Sequence, residues 1–148
     1  MGNNEQDSVT TTMSELGTGT SPVEFLELRQ SKLHHEDLDR VLRACKNLNT
    51  LIYEVGHSWA WYPMRAQEIR RSIEPLEATL ENLVLDQPYY MGKTGDGEYS
   101  PVSFAKFGKL RYLKTSTMHL SGTTELKGFN LMEVFPAGLV ELHVTYVG

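Results

Sequence analysis

Five histidines, one cysteine and a glycine-lysine-threonine triplet are the residues of this chain whose types invite chemistry. A hydrolase or transferase would need His57, His119 or His143 beside a carboxylate and a nucleophile, and no sequence spacing links them to such partners. His34, His35, Glu36 and Asp37 offer metal-ligand types, but adjacent positions on a helix point apart, and the i, i+4 pairing of a zinc helix is missing. A solvated helix start is the expectation there. Gly92-Lys93-Thr94 has the ending of a phosphate loop, yet its leading glycine would stand at position 87, which is Gln87. The Gly-Asp-Gly-Glu that follows is no helix start to hold a phosphate. Cys45 lies on an apolar stripe, where cysteine behaves as a small hydrophobe and not as a nucleophile. The expectation is a non-enzymatic chain with no catalytic residues, cofactor or metal.

The elements that must carry any site are announced by a phrase that returns five times. It reads Val23-Glu-Phe-Leu26-Glu-Leu28, Leu48-Asn-Thr-Leu51-Ile-Tyr53, Leu80-Glu-Asn-Leu83-Val-Leu85, Leu110-Arg-Tyr-Leu113-Lys-Thr115 and Leu139-Val-Glu-Leu142-His-Val144. Its first positions are separated by 25, 32, 30 and 29 residues, the period of one strand and one return segment stacked repeatedly. Alternation sends the leucine-type positions into a core and their neighbours outward. Between the first two phrases, Leu38, Val41, Leu42 and Cys45 recur at helical spacing, predicting an amphipathic helix over 35–47 with acidic first and basic last turns. Ala66, Ile69, Ile73 and Leu76 predict a second helix, which Pro75 ends or kinks near Glu74, leaving a separate turn from Leu76 to Thr79. The return segments then shorten. Residues 91–101 read as a surface loop, Phe104 and Phe107 as anchors of a short turn, and Leu126, Phe129, Leu131, Met132, Val134 and Phe135 as apolar cover before the last strand.

The predicted fold is α/β: a short right-handed solenoid of about five parallel strands, with helices or turns on the other face. Residues 1–21, rich in Thr, Ser, Gly and Asn, are expected to form a disordered polar tail, and 22–148 the folded domain. Met1-Gly2 begins like a myristoylation signal, but Gln6 stands where that signal wants a small hydroxyl residue. A formal charge of −5 disfavours nucleic-acid or anionic-membrane binding as the main function. With one cysteine and no start-proximal apolar run, the expected compartment is intracellular, cytoplasmic or nuclear. The last strand is expected to leave an open edge through which the chain associates or continues.

The longer phrases "LDRVLRACKNLNTLIYEVG", "IRRSIEPLEATLENLVLD", "FAKFGKLRYLKTS" and "FPAGLVELHV" resemble the leucine-rich-repeat region of fungal F-box proteins. The resemblance spans roughly 22–148. It implies a substrate-recognition array of a ubiquitin-ligase receptor; the F-box that docks the adaptor is expected to be absent, since the polar tail lacks its apolar helices. The asparagine ladder of regular repeats is also missing, and Tyr53 and Thr115 loosen the phrase.

On a concave sheet face the outward residues would align in three columns. These are Phe25, Thr50, Asn82, Tyr112 and Glu141; Glu27, Ile52, Val84, Lys114 and His143; and Arg29, Glu54, Asp86, Ser116 and Thr145. Ile52 and Val84 inside charged surroundings have the makings of a protein-binding anchor with a polar rim. The plainer alternative is a solvated face with Arg29 pairing Glu54. Trp59 and Trp61, in the run from His57 to Pro63, either anchor a partner or fold back to plug the gap between strand and helix. Lys106, Lys109, Arg111 and Lys114, interleaved with Phe107 and Tyr112, fit RNA or an acidic protein, the first disfavoured by the net charge, and an ordinary solvated strand edge explains them with fewer assumptions. The expected function is therefore a protein-protein interaction module; the alternative is a truncated or fragmentary repeat protein with no independent activity.

Overall fold

A computed structural model describes residues 17–56, 66–86, 102–121 and 130–145. Each apolar phrase becomes a parallel strand: β1 (Phe25–Ser31), β2 (Thr50–Val55), β3 (Asn82–Asp86), β4 (Tyr112–Ser116) and β5 (Glu141–Thr145). They form one sheet in sequential order, β1-β2-β3-β4-β5. The register places Leu26, Leu51, Leu83, Leu113 and Leu142 side by side, one from each phrase. The connecting segments supply α1 (His35–Ala44), α2 (Ala66–Ile73) with a 3₁₀ turn over Glu74–Leu76, α3 (Thr117–Ser121) and α4 (Leu131–Val134). The fold is α/β with a five-stranded parallel sheet, as expected.

A carbonyl staircase locks the strands at their entry points. The Glu24 carbonyl accepts from the N–H groups of Asn49 and Thr50, at 2.9 and 3.1 Å. Asn49 then accepts from Glu81 and Asn82, Glu81 from Arg111 and Tyr112, and Arg111 from Val140 and Glu141, all at 2.8 to 3.1 Å. Each strand is thus placed by the one before it. A single apolar cluster fills the space between sheet and return segments, with Leu51, Tyr53, Leu83, Leu85 and Leu113 from the strands meeting Leu38, Leu42, Ile69, Ile73, Phe104 and Phe107. The two phenylalanines predicted as anchors are fully buried. Tyr53 points inward, where its hydroxyl accepts from the Leu33 N–H at 3.3 Å, so the polar tip of a buried ring is satisfied. Thr115 also points inward, and its Oγ1 has no hydrogen-bond partner among the described residues.

Several local expectations need correction. Helix α1 ends at Ala44 and not at residue 47, because Cys45 leaves the helical region (φ −80°, ψ 114°) to cap it, its N–H donating to the Leu42 carbonyl. Cys45 is consequently half-buried, with Sγ directed at the Val41 carbonyl at 3.4 Å. Desolvation raises its thiol pKa. The second helix and its proline-marked end match expectation. Of the apolar cover before β5, Val134 is buried, but Leu131 and Met132 are 61% and 83% exposed, and Leu126 and Phe129 lie outside the described residues. The predicted loop at 91–101 lies wholly outside them as well.

β1 departs from regularity at Gln30, whose φ of 49° is the left-handed conformation; the register slips between Leu28 and Ser31. This bulge pushes the Gln30 backbone against Gly56, where an added Cβ would lie 3.0 Å from the Gln30 Cα and closer still to its carbonyl. No side chain fits there. Gly56→Ala is expected to lower stability by about 2 kcal/mol. Gly108→Ala, facing open space, should change it by less than about 0.5 kcal/mol. Urea titrations of the two variants against wild type measure both.

Candidate interaction surface

Strand alternation leaves one face of the sheet outside the core, and register decides which side chains meet on it. Glu27, Ile52, Val84, Lys114 and His143 occupy one continuous row across all five strands. Phe25, Thr50, Asn82, Tyr112 and Glu141 form the next. Both rows stand as the alternation predicts, with Phe25 the most open of the aromatic positions at 55% exposure. Ile52 and Val84 are direct neighbours at the centre, each half-buried.

Polar groups fix the frame around that pair. On one side the Asn82 amide donates to the Thr50 hydroxyl at 3.2 Å, which donates to Asn49 Oδ1 at 2.9 Å. On the other, Arg29 reaches Glu54 at 3.2 Å and also pairs Glu27, while the Gln30 amide donates to Glu54. The plainer reading of Arg29 as the partner of Glu54 therefore describes what this side chain does. The Glu27 hydrogen bond, and after it the Glu54 contact, raises the Arg29 pKa further. Lys114 Nζ lies 3.5 Å from Asp86, so each central carboxylate has its own cation. At the far strand the Tyr112 and His143 rings stand 5.5 Å apart, and His143 Nε2 is 2.6 Å from Glu141 Oε1.

The third row is not the open column the alternation predicts. Ser116 is fully buried, because β4 turns directly into α3 and the Ser116 hydroxyl accepts from the His119 N–H at 3.3 Å as a cap. Above it the Thr145 hydroxyl reaches Asp86 and the Thr115 carbonyl, each at 3.4 Å, bridging β3 and β5 across β4. Arg29 also falls out of strict register through the Gln30 bulge. The surface a partner can reach thus consists of two full rows and the Arg29-Glu54-Asp86 fringe. Sequence reasoning missed Gln30 in that fringe, because a left-handed glutamine inside a strand carries no sequence signal.

The remaining candidates disperse. Trp59, Trp61, His57 and the Gly92-Lys93-Thr94 triplet lie outside the described residues. The basic run separates: Arg111 donates to the Gly138 carbonyl at 3.1 Å, Lys114 turns to Asp86, and Phe107 is in the core. A shallow recess on the helical side is lined by Arg70, Arg71, Glu74, Glu77, Ser103 and Lys106. Arg70 is already engaged there by the Ser103 carbonyl and Glu77, both at 2.6 Å, and by the face of Phe107.

His34 and His35 do not point apart as expected, since His34 is the extended N-cap of α1 and not its first helical residue. Their rings stand 4.3 Å apart, and with Glu36 they place ligand-type atoms within 4.8 Å of one another. His34 Nδ1 instead accepts from the Glu36 N–H at 3.4 Å, and the positive end of the helix dipole disfavours a cation here. The group is a helix cap.

His119 is the titratable group most altered by the fold. It is 3% exposed, Nε2 has no hydrogen-bond partner among the described residues, and burial lowers its pKa to about 4 against a smaller opposing pull from Asp86. A substrate cannot reach a ring so placed, so its neutral imidazole is a core component. Because its folded pKa lies below the unfolded value, its neutral form supports the fold fully above about pH 6.5. That support is lost as pH falls toward 4. The loss attributable to this residue approaches about 3 kcal/mol at the acid end. His119→Leu is expected to flatten stability between pH 6.5 and 4.5, measured by thermal unfolding at closely spaced pH values. Comparisons with family models, with curated proteins and with solved structures return no match to this chain.

Proposed function

We propose that the chain is a leucine-rich-repeat solenoid of right-handed coils that binds a protein on the open face of its sheet without catalysing a reaction. The sequential strand order, the staircase of strand-entry hydrogen bonds and the in-register leucines support the solenoid reading. The observation that carries the binding reading is the adjacency of Ile52 and Val84 between Glu27 and Lys114 in one row, with Glu54 and Asp86 beside them. An apolar pair inside a polar rim concentrates binding energy at its centre while the rim sets orientation. The fixed ion pairs hold that rim in place before a partner arrives, which reduces the entropy lost on association. The likeness to the substrate-recognition repeats of an F-box receptor makes a polypeptide destined for ubiquitin transfer the proposed class of partner.

A second reading, a fragment of a longer repeat array without activity of its own, is favoured by one observation: Leu142 and Val144, which should face a core, are each 39% exposed. Cooperative unfolding of an isolated monomer would count against it.

The binding reading is tested with a photocrosslinking residue at Val84, followed by affinity measurement on the captured protein. Ile52→Asp and Val84→Lys are each expected to weaken binding by about 2 kcal/mol, roughly thirtyfold, without changing the melting curve. Glu36→Gln, on α1, should leave the affinity as it is. Equal affinity in all three variants would defeat the proposal.

A further inference from the structure

The end of the sheet at β5 differs from every interior strand. Leu142 and Val144 occupy inward positions, and their counterparts Leu51, Tyr53, Leu83 and Leu85 are buried to within 2%. Val140, two residues before Leu142 and so on the same side of the chain, is 76% exposed. The staircase also stops here: among the described residues, the Val140 carbonyl receives no pair of N–H groups corresponding to those on Arg111. A sheet edge and an apolar stripe thus lie on the same end of the molecule.

The opposite edge, at β1, is built differently. It carries Glu27 and Arg29, and the Gln30 bulge breaks its line, both of which blunt an edge against further pairing. β5 is regular over five residues, bears one formal charge at Glu141, and holds His143 against that carboxylate. A head-to-tail stack would set the regular edge on the blunted one and place Glu27 over His143. A two-fold pairing of β5 with β5 uses the regular edge twice and closes on itself.

We propose that β5 is a self-complementary interface through which two copies of this chain pair antiparallel about His143. In that register Leu142 of one copy stands opposite Val144 of the other, twice, giving four apolar side chains on the core side. On the outer face the two His143 rings stand directly opposite each other, with Glu141 of each copy diagonal to His143 of the other. The result is one continuous sheet of two five-stranded halves. This interface is separate from the open face around Ile52 and Val84 and stands whether or not that face binds a protein.

The test is sedimentation of the full chain over a concentration series, together with oxidative crosslinking in a Cys45→Ser background. A monomer–dimer equilibrium is expected. Val144→Arg and Val140→Glu should each raise its dissociation constant at least about tenfold. The second variant alters a side chain already 76% exposed, so it keeps the fold even if the first does not. His143→Cys should give a disulfide-linked homodimer under mild oxidation, since the residue on the two-fold axis faces its own copy. A chain that stays monomeric throughout, that grows into open-ended oligomers, or that crosslinks only when Glu27→Cys is mixed with His143→Cys overturns the proposal. Ile52→Asp should leave the dimer intact; its loss in that variant would also overturn the assignment to β5.

Discussion

Everything in this molecule hangs on the bifurcated carbonyl at each strand entry. One backbone oxygen, at Glu24, Asn49, Glu81 and Arg111 in turn, accepts two N–H groups from the following strand and sets its height and register at once. Because side chains alternate along a strand, a slip of one residue would send every core leucine to solvent. The staircase and the leucine row therefore enforce each other. Register in turn is what makes Ile52 and Val84 neighbours and brings Lys114 to Asp86.

The same regularity explains where the molecule is irregular. The Gln30 bulge, the backbone packed against Gly56, the Ser116 cap and the Thr145 bridge all lie at the carboxyl ends of strands, where the chain leaves the sheet. Interior positions repeat because both neighbours demand it; strand ends answer only to the segment that follows. The buried His119 belongs to this zone. Its hydrogen bond is made by its backbone N–H to Ser116, and its ring is carried into a region that charges only at acid pH.

The two edges of the sheet differ in character. An interior strand has its inward residues covered by its own return segment and by those of both neighbours, whereas a terminal strand lacks one neighbour. At β1, charge and a bulge occupy the edge. At β5, Val140, Leu142 and Val144 remain exposed. The open face of the sheet has the opposite character, with its charges paired among themselves and a small apolar centre.

The strands, their parallel order and the first two helices were legible in the amino-acid sequence because they rest on local periodicity, which each segment carries complete within itself. Phe104 and Phe107 were legible for a related reason: large apolar side chains flanked by polar residues have one favourable destination. What tertiary structure alone decided concerns the places where periodicity ends. Whether Ser116 is a surface residue or a cap depends on the turn into α3, and whether His34 diverges from His35 depends on a backbone that is not yet helical. Leu131, Met132, Leu142 and Val144 read as core by type and are exposed by position, because burial needs a neighbouring layer that a residue's own sequence does not supply.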